Sequence, residues 1–244
     1  MAQTEQELRV QLAACYRIFD HMGWSEMIYN HITAKVPGPE HHFLINPYGL
    51  HYREVTASNL VKVDIDGNIV EHTDYAVNPG GIVIHTAIHA ARPDIQCIAH
   101  THTNAGMAVA CTQEGLRTDN FYSALLHNQI AYHDFEGITV NDEEKPRLIA
   151  NLGDKSLMIL RNHGLLAGGR TIPEAFQNLW AMERACQVQV TTDSTGRPKI
   201  PVGPEILAKS EQLMAMQAMG GPSGELEFKA LTRLIEKIDP SYKD

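Results

Sequence analysis

The sequence predicts an α/β protein, folded as a three-layer α/β/α sandwich around a mixed, largely antiparallel sheet. Helix-spaced apolar segments and short strand-like runs intermingle along the chain without a strict βαβ repeat, which is typical of a layered domain with a mixed sheet. The 244 residues are enough for a full hydrophobic core and contain no internal linker, repeat or low-complexity tract. We therefore expect one principal domain.

The first predicted elements are a helix and a hairpin. Thr4 and Glu7 form a capping box, and the apolar residues that follow recur at helical spacing, which predicts a helix over about residues 5–22. Two strand-like runs, 29–36 and 42–46, flank a Pro-Gly-Pro turn. Because such a turn reverses the chain, the two runs are predicted to pair as a hairpin.

A second hairpin and a helix–strand unit come next. Residues 60–65 alternate like a half-buried strand, and an Asp-Gly turn leads into a second run at 68–70. The stretch 82–91 is predicted to be a helix, since it ends just before a proline. An apolar strand at 95–99 and a short helix at 105–111 are expected to follow.

The next part of the chain repeats this alternation. Residues 130–132 form a predicted strand, and Asn141 is expected to cap a helix that ends at Gly153. A second apolar strand covers 157–160. A capping box that begins at Thr171 then opens a long amphipathic helix.

The C-terminal part is expected to form a helical extension. We assign residues 1–200 to the main α/β domain and residues 201–244 to an extension that packs on the domain or at a subunit interface. Helical patterns at 204–219 and 223–238 support this division. Three methionines fit either gap-filling core or an oligomer contact: Met214, Met216 and Met219.

The composition limits the classes of function. With a formal net charge of −9, a nucleic-acid partner is not expected, because such proteins usually carry a basic patch. No apolar stretch approaches the roughly 20 residues that span a bilayer, and the N-terminal residues lack the segments of a secretory signal. We expect a cytoplasmic protein without a membrane partner. The four cysteines have no CxxC spacing and are expected to be small core residues.

Three histidines are the strongest functional signal. His100 and His102 close the strand at 95–99 and, being two residues apart, point to the same face. His163 follows the second apolar strand, so the ends of two strands can bring three neutral nitrogen ligands together. Three ligands with further coordination positions open make a catalytic metal site. The alternative is that each histidine is a hydrogen-bonded core residue.

Six motifs follow one another along the chain: Asn30-His31-Ile32-Thr33, Ile45-Asn46-Pro47-Tyr48-Gly49-Leu50, Glu54-Val55-Thr56-Ala57-Ser58-Asn59-Leu60-Val61, Ala90-Ala91-Arg92-Pro93-Asp94, His100-Thr101-His102-Thr103 and Leu160-Arg161-Asn162-His163-Gly164-Leu165. In this order they resemble the motifs of the class II aldolase/adducin family, and the resemblance covers about residues 8–192. Segments 46–50 and 131–135 are more similar to the adducin head and its bacterial relatives than to the sugar-phosphate aldolases. We therefore expect a freestanding, bacterial-type member.

The resemblance implies a class II aldolase-like domain in a homotetramer with active sites between subunits, and a divalent metal on His100, His102 and His163. Zn²⁺ is the expected metal, with Mn²⁺, Fe²⁺ or Co²⁺ as alternatives. In the sugar-phosphate aldolases of the family the metal acts as a Lewis acid, while a carboxylate on the preceding helix exchanges protons. At the position of that carboxylate this chain has Gly81. Sugar-phosphate aldol cleavage is therefore not expected.

Three side chains are candidates for the missing proton transfer. His85 lies one helical turn beyond Gly81 and shares a helix face with His89. Tyr122 is the preferred donor, because a neutral hydroxyl can donate to an oxyanion at pH 7. His127 lies in the same region, which in the resembling aldolases supplies a tyrosine from the neighbouring subunit. The structural alternatives are a hydrogen-bonded histidine pair and an aromatic residue packed at an interface.

Five positions are candidates for substrate binding. Asn30 and Asn46 match substrate-loop positions of the resembling family, where asparagine and backbone amides hold phosphate or carboxylate. The backbone of Gly80 and Gly81 belongs to the same set, and Arg161 beside the third histidine can hold an anion. The alternatives are ordinary turn chemistry for the asparagines and structural hydrogen bonding for the arginine.

The leading functional hypothesis is a divalent-metal-dependent lyase. It would cleave or decarboxylate a small oxygenated carboxylate or keto substrate through a metal-stabilised enolate. Such a reaction needs an electron sink more than it needs the missing carboxylate. The second hypothesis is a non-haem iron oxygenase on the same three histidines, although the usual iron triad contains a carboxylate. The third is a non-enzymatic, adducin-like interaction domain.

Overall fold

A seven-stranded mixed sheet organises the structure, a computed structural model that describes residues 3–137 and 142–244. The spatial order is β3-β2-β1-β4-β7-β6-β5, and every neighbouring pair is antiparallel except β5 with β6. The predicted mixed, largely antiparallel sheet is thus confirmed. The strands are β1 (His31–Lys35), β2 (Phe43–Ile45), β3 (Val61–Val63), β4 (Cys97–Thr101), β5 (Ile130–His133), β6 (Leu157–Leu160) and β7 (Gly164–Gly169).

Helices cover both faces of this sheet. One core, the α1-side core, lies between the sheet and α1, α6 and α8, and includes Leu12, Leu179 and Phe228. The other, the α2-side core, lies under α2 and α5 and includes Ile88 and Leu148. The three-layer α/β/α prediction is confirmed. The helices within the described residues are α1 (Glu5–His21), α2 (Pro79–Ala91), α3 (Asn104–Ala110), α4 (Phe121–Leu125), α5 (Lys145–Leu152), α6 (Ile172–Ser194), α7 (Pro204–Met219) and α8 (Glu225–Ile238).

Capping decides where several helices begin. At α1 the side chain of Thr4 accepts from the Glu7 N–H and the Glu7 carboxylate accepts from the Thr4 N–H, as predicted. At α2 the Asn78 side chain accepts from the Gly80 N–H at 3.1 Å. With Pro79 at the first helical position, this cap starts α2 three residues before the predicted range.

The second predicted hairpin is wrong in part. The predicted turn forms, since Gly67 has φ +86°, Ile69 makes an antiparallel bridge with Val63, and the Val70 N–H donates to the Lys62 carbonyl at 3.1 Å. Residues 68–70 are nevertheless not a strand of the sheet. Ile69 is 43% exposed, so it has no core to pack against as an added edge strand would require. The predicted cap Asn141 lies outside the described residues, and α5 follows a short 3₁₀ turn at Asp142–Glu144.

The C-terminal segment packs on α1 through α8. Phe228 and Tyr242 are buried in the α1-side core, and the backbone N–H of Ala57 donates to the Tyr242 carbonyl at 2.9 Å. The Arg17 guanidinium pairs with Asp239 at 2.7 Å. By contrast, no side chain of α7 is buried in the described structure. No described helix is both long and apolar enough to span a membrane.

Alternation along the strands decides which side chains face α2. On β4, Ala99 belongs to the α1-side core, whereas Ile98 belongs to the α2-side core. His100, two residues from Ile98, therefore shares the α2 face. β1 pairs with β4 in a register that places His31 opposite His100, so His31 lies on the same face of the sheet.

Candidate metal centre

The three predicted histidines converge at the ends of neighbouring strands. His100 lies near the end of β4, His102 directly follows it, and His163 lies in the tight turn between β6 and β7. The Nε2 atom of His100 is 2.8 Å from that of His102 and 3.2 Å from that of His163. Among the described residues, these three are the group of histidine, cysteine and acidic side chains whose ligand atoms lie close enough to share a metal ion.

The protonation state of these three rings is suitable for binding a cation. The Nδ1 of His100 lies 2.8 Å from the Leu165 carbonyl, and because a carbonyl only accepts, Nδ1 carries the hydrogen and Nε2 the lone pair. Burial lowers the pKa of His100 well below its ordinary value and that of His163 to about 4. Burial also lowers the pKa of His102, against the attraction of Glu26. Three neutral imidazoles fit a zinc-type donor set.

Gly164 allows the histidine turn to approach β4. A Cβ atom at this position would lie 2.3 Å from the Thr101 carbonyl oxygen and 3.2 Å from the His102 ring. The preceding Asn162 has φ +56°, a conformation that asparagine tolerates better than most residues. The Asn162-His163-Gly164 sequence therefore lets the β6–β7 turn bring the third imidazole against the other two.

A polar cavity of about 430 Å³ lies beside His102. Asn30, a predicted substrate-binding residue, lines it and is buried. Its amide Nδ2 donates to the Trp24 carbonyl at 3.0 Å, whereas its Oδ1 has no hydrogen-bond partner within the described part of the chain. The remaining polar and charged side chains that line the cavity include Glu26, Asn104, Glu183 and Gln187.

Glu183 in the cavity wall was missed by the sequence analysis. This carboxylate on α6 is only 3% exposed, and it accepts hydrogen bonds from the Thr103 hydroxyl and, at 2.9 Å, from Gln187. Burial raises its pKa. Its position on α6 is the feature of the sequence that could have identified it, because its neighbours Met182 and Cys186 are core residues. A carboxylate among core residues is almost never fully buried unless it is paired.

His31 beside the three converging histidines was also not predicted from the sequence. Its ring centroid lies 5.2 Å from that of His100 and 4.4 Å from that of His85. Its Nδ1 donates to the Tyr29 carbonyl at 3.2 Å, and its Nε2 is buried without a partner among the described residues. A Cβ atom on Gly81 would lie 2.6 Å from the His31 ring. No local sequence pattern could have found it, because the register that places His31 on the face of His100 is a long-range contact between β1 and β4.

Two of the predicted residues lie deeper in the fold. His85 is fully buried on α2, where its Nδ1 and the Nε2 of His89 lie 2.6 and 2.8 Å from the Thr33 hydroxyl. Asn46 is buried at the end of β2, where its N–H donates to the Tyr16 hydroxyl at 3.1 Å. These contacts tie elements together, and the predicted catalytic and substrate-binding roles of His85 and Asn46 stay predictions.

Three further predicted residues do not contact the histidine cluster of their own chain in the described structure. Arg161 donates to the Thr112 carbonyl at 3.2 Å and lies over the Tyr132 ring. Tyr122 on α4 packs edge-on against Trp180. His127 is half-buried just after α4. Their predicted roles are untested by these positions, because a neighbouring subunit is part of the prediction for Tyr122 and His127.

The fold and the converging imidazoles together define an α/β/α domain of the class II aldolase type. Residues 10–190 match the sequence family described as the Class II Aldolase and Adducin N-terminal domain. The chain belongs to this class II aldolase and adducin family, as the motifs of the sequence predicted.

Solved and characterised relatives agree with this assignment. The crystal structure of an aldolase II superfamily protein from Pseudomonas syringae has a TM-score of 0.93 and 46% identity, over 100% of this chain and 98% of that chain. L-fuculose 1-phosphate aldolase from Glaciozyma antarctica has a TM-score of 0.85 and 28% identity, over 98% of this chain and 93% of that chain. Alpha-adducin from Rattus norvegicus is 44% identical over 247 residues, which cover 96% of this chain and 34% of alpha-adducin.

Proposed function

We propose that the chain is a metal-dependent lyase that breaks a carbon–carbon bond in a small oxygenated carboxylate or keto substrate, by aldol-type cleavage or decarboxylation. The observation that carries the proposal is the convergence of three neutral Nε2 atoms beside a polar cavity. Zn²⁺ is the proposed metal, and Mn²⁺, Fe²⁺ and Co²⁺ are the alternatives that the same ligands accept. A divalent cation supplies Lewis acidity toward a carbonyl or hydroxyl oxygen of the substrate.

The surrounding side chains are proposed to hold the ligands and the substrate. The hydrogen bond from His100 to the Leu165 carbonyl fixes the orientation of the ring. The amide of Asn30 is proposed to bind a substrate hydroxyl, since its Oδ1 has no other partner in the described structure. The backbone of Gly80 and Gly81 and the Arg161 guanidinium remain proposed contacts for an anionic group.

We propose a homotetramer in which Tyr122 and His127 serve the active site of a neighbouring subunit. This arrangement is supported by the position of both residues on and after α4, away from the histidine cluster of their own chain. Phe121 beside them is 72% exposed, as expected for a residue that packs against another subunit. Tyr122 is the proposed proton donor, and the cytoplasm is the proposed location.

A non-enzymatic interaction domain is the second candidate. It is supported by the 44% identity to alpha-adducin over 34% of that protein. The absence of a carboxylate at Gly81 fits it as well. The neutral, convergent imidazoles favour the lyase, because a pure interaction domain has no need to hold three lone pairs together.

An activity screen separates these candidates. Protein loaded with Zn²⁺ or Mn²⁺ would be incubated with 2-keto acids, their aldol adducts and 3-hydroxy acids, while carbonyl products, carbon dioxide and dissolved oxygen are measured. We expect product release without oxygen uptake, and loss of turnover in His163→Ala. Oxygen uptake by the Fe²⁺-loaded protein would instead indicate the oxygenase, and no turnover with any metal would contradict catalysis.

A further inference from the structure

The space next to Gly81 is filled by an imidazole from another element. A Cβ atom built on Gly81 would lie 2.6, 2.7 and 2.8 Å from three atoms of the His31 ring. Real Cβ atoms do not approach other heavy atoms so closely. Gly81 lies in the first turn of α2, where alanine would otherwise be preferred over glycine. The ring of His31 therefore leaves no room for a side chain at position 81.

The ring of His31 has little freedom to move away. It is held by its hydrogen bond to the Tyr29 carbonyl, and that carbonyl also accepts from Asn78, the cap of α2, at 3.0 Å. On its two sides it packs against the rings of His85 and His100. His31 is 5% exposed. Any side chain at position 81 would have to displace a confined ring.

The side chains that pack toward His100 from this side of the sheet are imidazoles, since the His31 ring lies against His100 and the His85 ring lies against His31. On the cavity side the acidic groups are Glu26, which is exposed, and Glu183, which is hydrogen-bonded to Thr103 and Gln187. No acidic side chain reaches the three ligands from α2 in the described structure.

We propose that His31 and Gly81 form a complementary pair that closes position 81 to any side chain. An imidazole instead of a carboxylate then stands beside the three converging histidines, and the cation keeps its charge for an anionic oxygen ligand. The steric half of this inference follows from the contacts alone. The electrostatic half rests on the proposed metal-dependent function. A cation held by three neutral ligands has a stronger field at its open positions than one that also binds a carboxylate.

A double-mutant cycle tests the steric half. Thermal unfolding would be measured for the full-length, metal-free chain as wild type, Gly81→Ala, His31→Ala and the double variant. We expect Gly81→Ala to lower the melting temperature by about 4 °C or more when His31 is present, and to leave it unchanged or raise it when His31 is alanine. If Gly81→Ala changes the melting temperature equally with His31 and with alanine at position 31, the two residues are not coupled, and the steric half is overturned. Gly203→Ala is the matched control, since this glycine has φ −68° and open space around it.

A matched pair of substitutions tests the electrostatic half. Acetate would be titrated at pH 8 into Co²⁺-loaded His31→Gln and His31→Glu, with cobalt absorption as the readout. The two side chains have the same shape and differ in charge, so we expect acetate affinity at least about tenfold lower in His31→Glu. Equal affinities would overturn this half. Neither experiment needs a substrate, so absence of lyase activity would remove the proposed function while leaving the steric pair intact.

Discussion

At the scale of single residues, burial keeps the histidines near the site uncharged. It lowers the pKa of His31 and His163 to about 4 each and that of His89 to about 3. An uncharged imidazole keeps a lone pair for a cation or a hydrogen bond, whereas a protonated one repels the cation. Because these pKa values are lowered in the folded chain, the stability of the fold depends on pH.

Stability is expected to fall as the pH decreases from about 6.5 toward about 4. In this window the unfolded chain binds protons at histidines with an ordinary pKa of about 6.5, while the folded chain leaves them neutral, so acid favours unfolding. At pH 5 His31 and His89 should each lower the free energy of unfolding by about 2 kcal/mol relative to pH 7 or above. Urea denaturation of the metal-free protein at pH 7 and pH 5 measures this difference.

Two histidine variants make this prediction specific. His89→Asn removes one buried group and should reduce the difference between pH 7 and pH 5. His41→Gln is the control, since His41 is exposed, and it should leave the difference unchanged. The same pH dependence in His89→Asn as in the wild type would contradict a role for the buried imidazole.

At the scale of elements, the turn between β6 and β7 holds the site together. Gly164→Ala would place a methyl group 2.3 Å from the Thr101 carbonyl, which forces β4 and β7 apart. We expect the free energy of unfolding to fall by about 1–3 kcal/mol, and metal affinity to fall as well because His163 moves with the turn. Urea denaturation and metal titration measure the two effects. If the variant is destabilised but binds metal with unchanged affinity, the conformation of this turn does not position His163 for metal binding.

The C-terminal helix α8 is expected to contribute directly to the stability of the domain. Phe228 is 3% exposed and packs against Phe176 of α6, whereas Leu226 on the same helix is 81% exposed. Phe228→Ala should cost about 3–5 kcal/mol, and Leu226→Ala about 0.5 kcal/mol or less. Chemical denaturation followed by circular dichroism compares them. Similar values for the two variants would mean that α8 does not share the core.

The sequence predicted the helices and strands that have strong local patterns, such as cap residues and long apolar periodicity. α1 and α6 were predictable because cap residues and long apolar periodicity agree. β7 was not, because Gly164–Gly169 is glycine-rich and too short to show a period. α4 has five residues, and a helix of that length is stable only through its packing.

At the scale of the whole molecule, the active site is proposed to need more than one chain. We expect the wild-type protein to sediment at about four times the chain mass of 27.1 kDa. Phe121→Ser should weaken this assembly, because it removes an exposed aromatic beside the proposed donor Tyr122. Analytical ultracentrifugation measures the effect. Leu226→Ser is the control on another exposed face, and a monomeric wild type would contradict shared active sites.

The sequence predicted those residues of the candidate site whose positions follow from local patterns, and not those that reach the site through tertiary contacts. His100 and His102 were assigned from strand alternation, and His163 from its place after a second strand. His31 and Glu183 required the register of β1 with β4 and the packing of α6, which are long-range contacts. Such contacts arise from tertiary packing that no local pattern encodes.

The three histidines are proposed to hold one divalent metal ion. The most direct test is elemental analysis of protein purified without chelators, as wild type and as His163→Ala, with circular dichroism to show that both are folded. We expect about one equivalent of divalent metal per wild-type chain, and a large loss of metal in the variant. A folded wild type that binds no divalent metal even when it is supplied, or a variant that retains its full content, would contradict it.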